Sequence, residues 1–205
     1  MKFDYLGDAI DLWKARMLEL LRRSSAPPRP LRLLPMFSDH DWGPAQVETY
    51  ARLLGGGAGD VLASHRFTWA GRAAYFAVAL GDQEDVFIDP DTGILRKRGT
   101  RAHCHTQDLE RLLRADNVVS CYQHRIRMAK PWLMPLIEAL WPSAPCEVLV
   151  YEGGQVGMLW LSRASGRLDA LESTIRTALG PSVVANRVWR RAAHHYAGAA
   201  RPRRR

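Results

Sequence analysis

The chain has 205 residues, of which 47% are apolar and 24% charged. That is the composition of a folded globular protein, and it excludes wholesale disorder, collagen-like repetition and a membrane bundle. The formal charge of +8 is unevenly spread: from Arg187 onward there are seven arginines and no acid, so residues 1–186 carry only +1.

Residues 4–23 read as one amphipathic helix, because Leu6, Ile10, Trp13, Met17 and Leu20 step by four and three onto one face. Such a stripe faces a core, with a coiled-coil dimer seam as the alternative. The prolines of residues 24–30 forbid helix and make a stiff connector. Residues 31–37 read as a strand. Ser38-Asp39-His40-Asp41-Trp42-Gly43-Pro44 then reads as a helix start, with Val47, Tyr50, Ala51 and Leu54 on one face and Gly55-Gly56-Gly57 as the stop. Strand-like runs follow at 61–69, 73–80, 85–89 and 94–98, the last two flanking the turn Pro90-Asp91-Thr92-Gly93. They predict an antiparallel meander, followed by a helix over 106–115.

After residue 117 the expected elements are a strand at 118–128, a helix at 131–141, strands at 146–151 and 155–162, a helix at 167–179 and a strand at 183–189. This is the βαββαβ order of ferredoxin-like folds. The expected fold class is therefore α+β, with antiparallel sheets, helices packed on one face and a ferredoxin-like second half. The expected organisation is a helix and connector (1–30), a meander subdomain (31–116), a ferredoxin-like subdomain (117–189) and a basic flexible tail (190–205).

Residues 45–98 resemble a PepSY-like module, in which a helix precedes a small sheet ending in an aspartate-proline-x-threonine-glycine turn. The carriers are the helix at 45–54, the strand around 75–80, and Val86-Phe87-Ile88-Asp89-Pro90-Asp91-Thr92-Gly93. The resemblance covers about a quarter of the chain and implies a small binding or inhibitory module with no catalytic residues to carry over. That family is generally extracytoplasmic or membrane-linked, and this chain departs from it in showing no signal peptide and no membrane span.

Metal-capable residues are densest at His103-Cys104-His105, followed by Cys121 and His124. Zinc takes four thiolate or imidazole donors in a tetrahedron. These five could supply them, although a cysteine and a histidine three apart on a strand face opposite sides. A loop with exposed histidines and a half-buried thiol is the plainer expectation, with no cofactor. The acid cluster Asp39, His40 and Asp41 could serve acid–base chemistry or hold magnesium, but capping of the following helix accounts for both carboxylates. Arg96, Lys97, Arg98, Arg101, Arg125, Arg127 and Lys130 could join the tail in phosphate contacts, against the alternative of a solvated charged face. Among the seven tryptophans, Trp69 and Trp132 stand at element edges and are candidate interface residues.

No phosphate-binding loop, dinucleotide fingerprint, nucleophile elbow or zinc-protease run occurs. An RNA-recognition sheet needs aromatics where residues 154–161 place Val156 and Met158. Three cysteines cannot close a disulfide framework, and acids occupy the N-terminal region where a signal peptide needs positive charge. A cytoplasmic protein is expected. Arginine outnumbers lysine 25 to 4, as GC-rich codon usage produces. The functional expectation is a non-catalytic interaction or regulatory protein, partnered by another protein or by itself as a dimer. An anionic partner for the tail is a further expectation. The alternatives are a metal-dependent hydrolase and a nucleic-acid binder.

Overall fold

A computed structural model of the chain describes residues 6–81, 83–95, 103–124, 132–164, 166–184 and 187–192. Helix α1 (Ala9–Arg23) starts where Asp8 accepts hydrogen bonds from the amides of Ile10 and Asp11, and it carries Arg22 and Arg23 in its last turn. The connector leads into β1 (Leu31–Pro35), and Pro44 opens α2 (Pro44–Leu53). A single turn at Ala58–Asp60 and the short α3 (Arg72–Tyr75) precede β2 (Asp85–Asp89). Then come β3 (Gly93–Leu95), β4 (His103–His105), α4 (Thr106–Leu112) and β5 (Val118–His124). The chain continues through α5 (Leu133–Leu140), β6 (Glu147–Glu152), β7 (Val156–Ser162), α6 (Arg167–Leu179), α7 (Pro181–Val184) and β8 (Val188–Arg191).

Six strands form one mixed sheet in the order β1-β2-β5-β7-β6-β8. The first three run parallel and the remaining pairs antiparallel, while β3 and β4 make a separate parallel pair. Strand side chains alternate between two apolar layers. Leu31, Leu33, Phe87, Val118, Tyr122, Leu149 and Trp160 pack with residues of α1, α2 and α6. Leu34, Val86, Ile88, Val119, Cys121, Val150 and Leu159 pack with α4, α5 and the segment around Tyr75.

The fold is α+β, and it departs from the sequence reading in its details. Helices cover both faces of the sheet, because strands such as β2 and β7 are apolar on both sides and buried at every residue. The βαββαβ chain order is present, and β7 lies between β5 and β6 as a ferredoxin-like sheet requires. Strand β8, however, pairs with β6 at the outer edge, because β2 occupies the edge of β5 that it would need. The sheet thus crosses residue 117 without interruption.

No antiparallel meander forms among the described residues of 61–98. Residue Val61 makes only an isolated bridge to Leu33, and the alanine-rich run at 73–80 begins as helix. The turn after β2 does not fold back as a hairpin, since β3 pairs with β4 instead. Gly93, at φ +108°, lies against the Gln123 side chain, whose Oε1 accepts the Ile94 amide at 2.7 Å and draws the chain away from β2. The first part of the expected tail is also ordered: Arg190 and Arg191 belong to β8, and Arg190 pairs with Glu147 and Asp169. Residues 193–205 lie outside the described residues.

Candidate functional site

The sheet-facing side of α1 carries two charged residues among apolar ones. Lys14 is 5% exposed, and its Nζ donates to Asp11 Oδ1 and Asp89 Oδ2, both at 2.9 Å. Asp89 ends β2 on the same face as Phe87, and the Lys14 ammonium sits 4.5 Å from the centre of the Tyr122 ring. Burial pulls the Lys14 ammonium down, but Asp89 and Asp11 together outweigh it and hold the group charged beyond its ordinary range. Burial, with Asp89 beside it, pushes the Tyr50 phenol well up, so it stays neutral. At the end of β5, Tyr122 Oη lies 3.1 Å from His124 Nδ1, and burial followed by Lys14 pushes that imidazole down. These groups satisfy one another. A charged ammonium held between two carboxylates is a structural clamp between α1 and β2, not a nucleophile.

The proposed metal ligands separate. Cys121 faces the α4–α5 layer, whereas His124 follows Tyr122 onto the α1 face and stacks edge-on against its ring at 4.7 Å. Cys104 and Cys121 are fully buried in the same apolar layer, their thiols donating to the carbonyls of His105 at 3.7 Å and Tyr122 at 3.6 Å, and burial pushes the Cys121 thiol well up. His105 packs edge-on against Trp69 at 5.4 Å, its imidazole pushed down by burial and then by Arg72. His103 is half-buried in β4. Among the described residues no group of three or more His, Cys, Asp or Glu converges to hold a metal ion.

The acid cluster organises its own loop. Asp39 Oδ1 accepts from the His40 amide at 2.9 Å and from Trp42 Nε1 at 3.3 Å, while Asp41 Oδ1 accepts the Arg66 amide at 2.5 Å. His40 Nδ1 lies 3.3 Å from Asp39 Oδ2. Neither acid caps α2, which corrects the expectation: Gly43 is the cap residue, and its amide donates to Gln46 Oε1 at 2.9 Å. Arg96, Lys97, Arg98, Arg101, Arg125, Arg127 and Lys130 lie outside the described residues. Trp69 is 50% exposed. Trp132 is not: it is fully buried against Gly157, where an added Cβ would come within 3.1 Å of its ring. A glycine in the paired strand makes room for the indole.

The outer face of α1 was missed as a site by the sequence reading. The stripe of Leu6, Ile10, Trp13, Met17 and Leu20 joins the core as expected. Leu12 lies off that stripe and is 62% exposed, more than any other described large apolar residue. It borders a groove of about 490 Å³ between α1 and the C-terminal end of α2, with Ala15, Leu53 and Leu54 also lining it. Arg16, Arg22 and Arg52 line the same groove against a single acid, Glu19. Arg22 Nη1 donates to the Leu54 carbonyl at 2.9 Å and closes one end. A second groove of about 380 Å³ runs between α1 and α6, with Arg16, Leu20 and Arg23 on one wall. A signal for this surface existed, in one leucine at the wrong phase of the helical period.

Comparison with protein-family models, with curated proteins and with solved structures finds no match. Among the described residues no helix is long and apolar enough to cross a membrane.

Proposed function

We propose that this is a non-catalytic interaction protein whose binding surface is the outer ridge of α1. The observation that supports it is the pair of grooves flanking α1, one of them bordered by Leu12, a large apolar side chain 62% exposed. Three buried free thiols suit a reducing compartment, and we assign the protein to the cytoplasm.

The test is site-specific photo-cross-linking in cells from a reactive amino acid at position 12, with an exposed position on the opposite side of the sheet, Ala139 of α5, as control. The expected result is a discrete adduct from position 12, absent from position 139, whose captured partner binds the purified protein. Equal labelling from both positions, or a partner that does not bind on reconstitution, would overturn the reading.

A further inference from the structure

The groove between α1 and α2 carries information about what fills it. Between Leu12 and Arg22 it follows ten residues of helix, about 15 Å or some three turns. Its apolar lining is Leu12, Ala15, Leu53 and Leu54, set between α1 and the C-terminal end of α2, a surface on which the apolar face of a third helix can pack. Strand addition at the β1 edge is blocked, because the Leu62 amide already donates to the Leu33 carbonyl at 2.8 Å.

The rim sets the sign of the occupant. Three arginines, Arg16, Arg22 and Arg52, line it with one acid, Glu19, and Asp60 lies close enough to act on Arg22, which leaves the rim with an excess of positive charge. Glu19 is already shared between Arg16 at 2.5 Å and Arg23 at 3.4 Å. Arg52 is exposed and makes no ion pair among the described residues. The chain's own arginine-rich end, Arg201-Pro202-Arg203-Arg204-Arg205, has the same sign as this rim and is repelled by it. In a symmetric contact between two copies, two arginine rims would face each other, which disfavours a second copy as the occupant.

We infer that the α1–α2 groove receives an acidic amphipathic helix of a partner protein, with apolar residues on Leu12, Ala15 and Leu53 and carboxylates on Arg16, Arg22 and Arg52. This assignment rests on the reading of the α1 ridge as the binding surface and names the class of its partner.

Three synthetic peptides of about 18 residues test it. They share one leucine stripe and carry glutamates, lysines or glutamines on the remaining faces. Fluorescence anisotropy would measure their binding to the full chain and to the variants Leu12→Ser and Arg52→Glu, both at exposed positions, with melting temperatures checked for folding. The glutamate peptide is expected to bind at least about tenfold more tightly than the lysine peptide, and to weaken about tenfold in either variant. Its affinity should also fall as salt is raised. Equal binding of all three peptides, lost in Leu12→Ser, would overturn the acidic assignment and leave the ridge reading standing. Binding indifferent to both substitutions, or no binding, would overturn the proposal outright, and the cross-linking at position 12 then decides the ridge reading separately.

Discussion

Lys14 shows how a single charged residue is held inside a core by partners distant in sequence. At about 100° per residue it lies on the side of α1 opposite Arg16, Glu19 and Arg23 and beside Met17 and Leu21, and it is 5% exposed there with Asp89, 75 residues away, ending β2 beneath it as its counter-charge. The i,i+3 spacing of Asp11 and Lys14 next to Trp13 was visible in the sequence. The third member was not, since only the pairing of distant strands brings Asp89 there. Replacing Lys14 by Met leaves two buried carboxylates without their cation, and is expected to destabilise the chain by about 3–5 kcal/mol. Lys14→Met combined with Asp89→Asn removes one of those charges and should recover part of the loss. Urea unfolding of both variants measures this. A loss under about 1 kcal/mol in the single variant would show that the ammonium does not balance the buried acids.

Elements whose signal is local were legible; those needing a partner were not. Strand β2 and helix α6 occupy the ranges their periodicity predicts. The runs at 61–69 and 73–80 failed because alternation alone does not supply a strand to pair with, and the six-stranded sheet is already filled by others. Helix α5 shows the opposite dependence. Its start is held by Glu152 of β6, whose Oε1 accepts the Trp132 amide at 2.8 Å and the Leu133 amide at 2.6 Å. Removing that buried acceptor in Glu152→Ala is expected to cost about 2–4 kcal/mol and to speed amide exchange at Trp132 and Leu133, while Glu152→Gln keeps an acceptor and loses less. Similar exchange rates in both variants would refute this account of the cap. Gly157→Ala should also destabilise, by about 1–3 kcal/mol, because its Cβ would fall 2.5 Å from Leu133 Cδ2.

At the level of the whole chain, the α+β class was readable, but the mixed sheet was not. The parallel pairing of β1, β2 and β5 is set by crossovers through layers on both faces. That burial has a pH signature. Burial pushes the Cys146 thiol up to about 12 and raises the Tyr50, Tyr75 and Tyr122 phenols, while Lys14 is held above its ordinary value. Each of these groups keeps its proton in the folded chain after the unfolded chain has lost it. Stability should therefore fall as pH rises past about 9, by up to about 1.4 kcal/mol per pH unit for each group in its window. His105 and His124 are pushed down, which lowers stability as pH drops below the ordinary histidine range near 6.5, while Asp85 and Asp89, raised by burial, offset part of that loss as they take up protons. Denaturant midpoints across pH would show a plateau between these limits, and a midpoint still rising above pH 9 would contradict the alkaline half.

Where a ligand touches the chain distinguishes the α1 ridge from every other surface. Backbone amide resonances of the uniformly labelled protein, followed while the glutamate-rich helical peptide is added, locate that contact residue by residue. Shifts confined to Leu12–Arg22 and residues 52–55 are the predicted result. Shifts centred on the strand ends around Asp89 and His124, with α1 silent, would place binding over the buried ionisable cluster and contradict it.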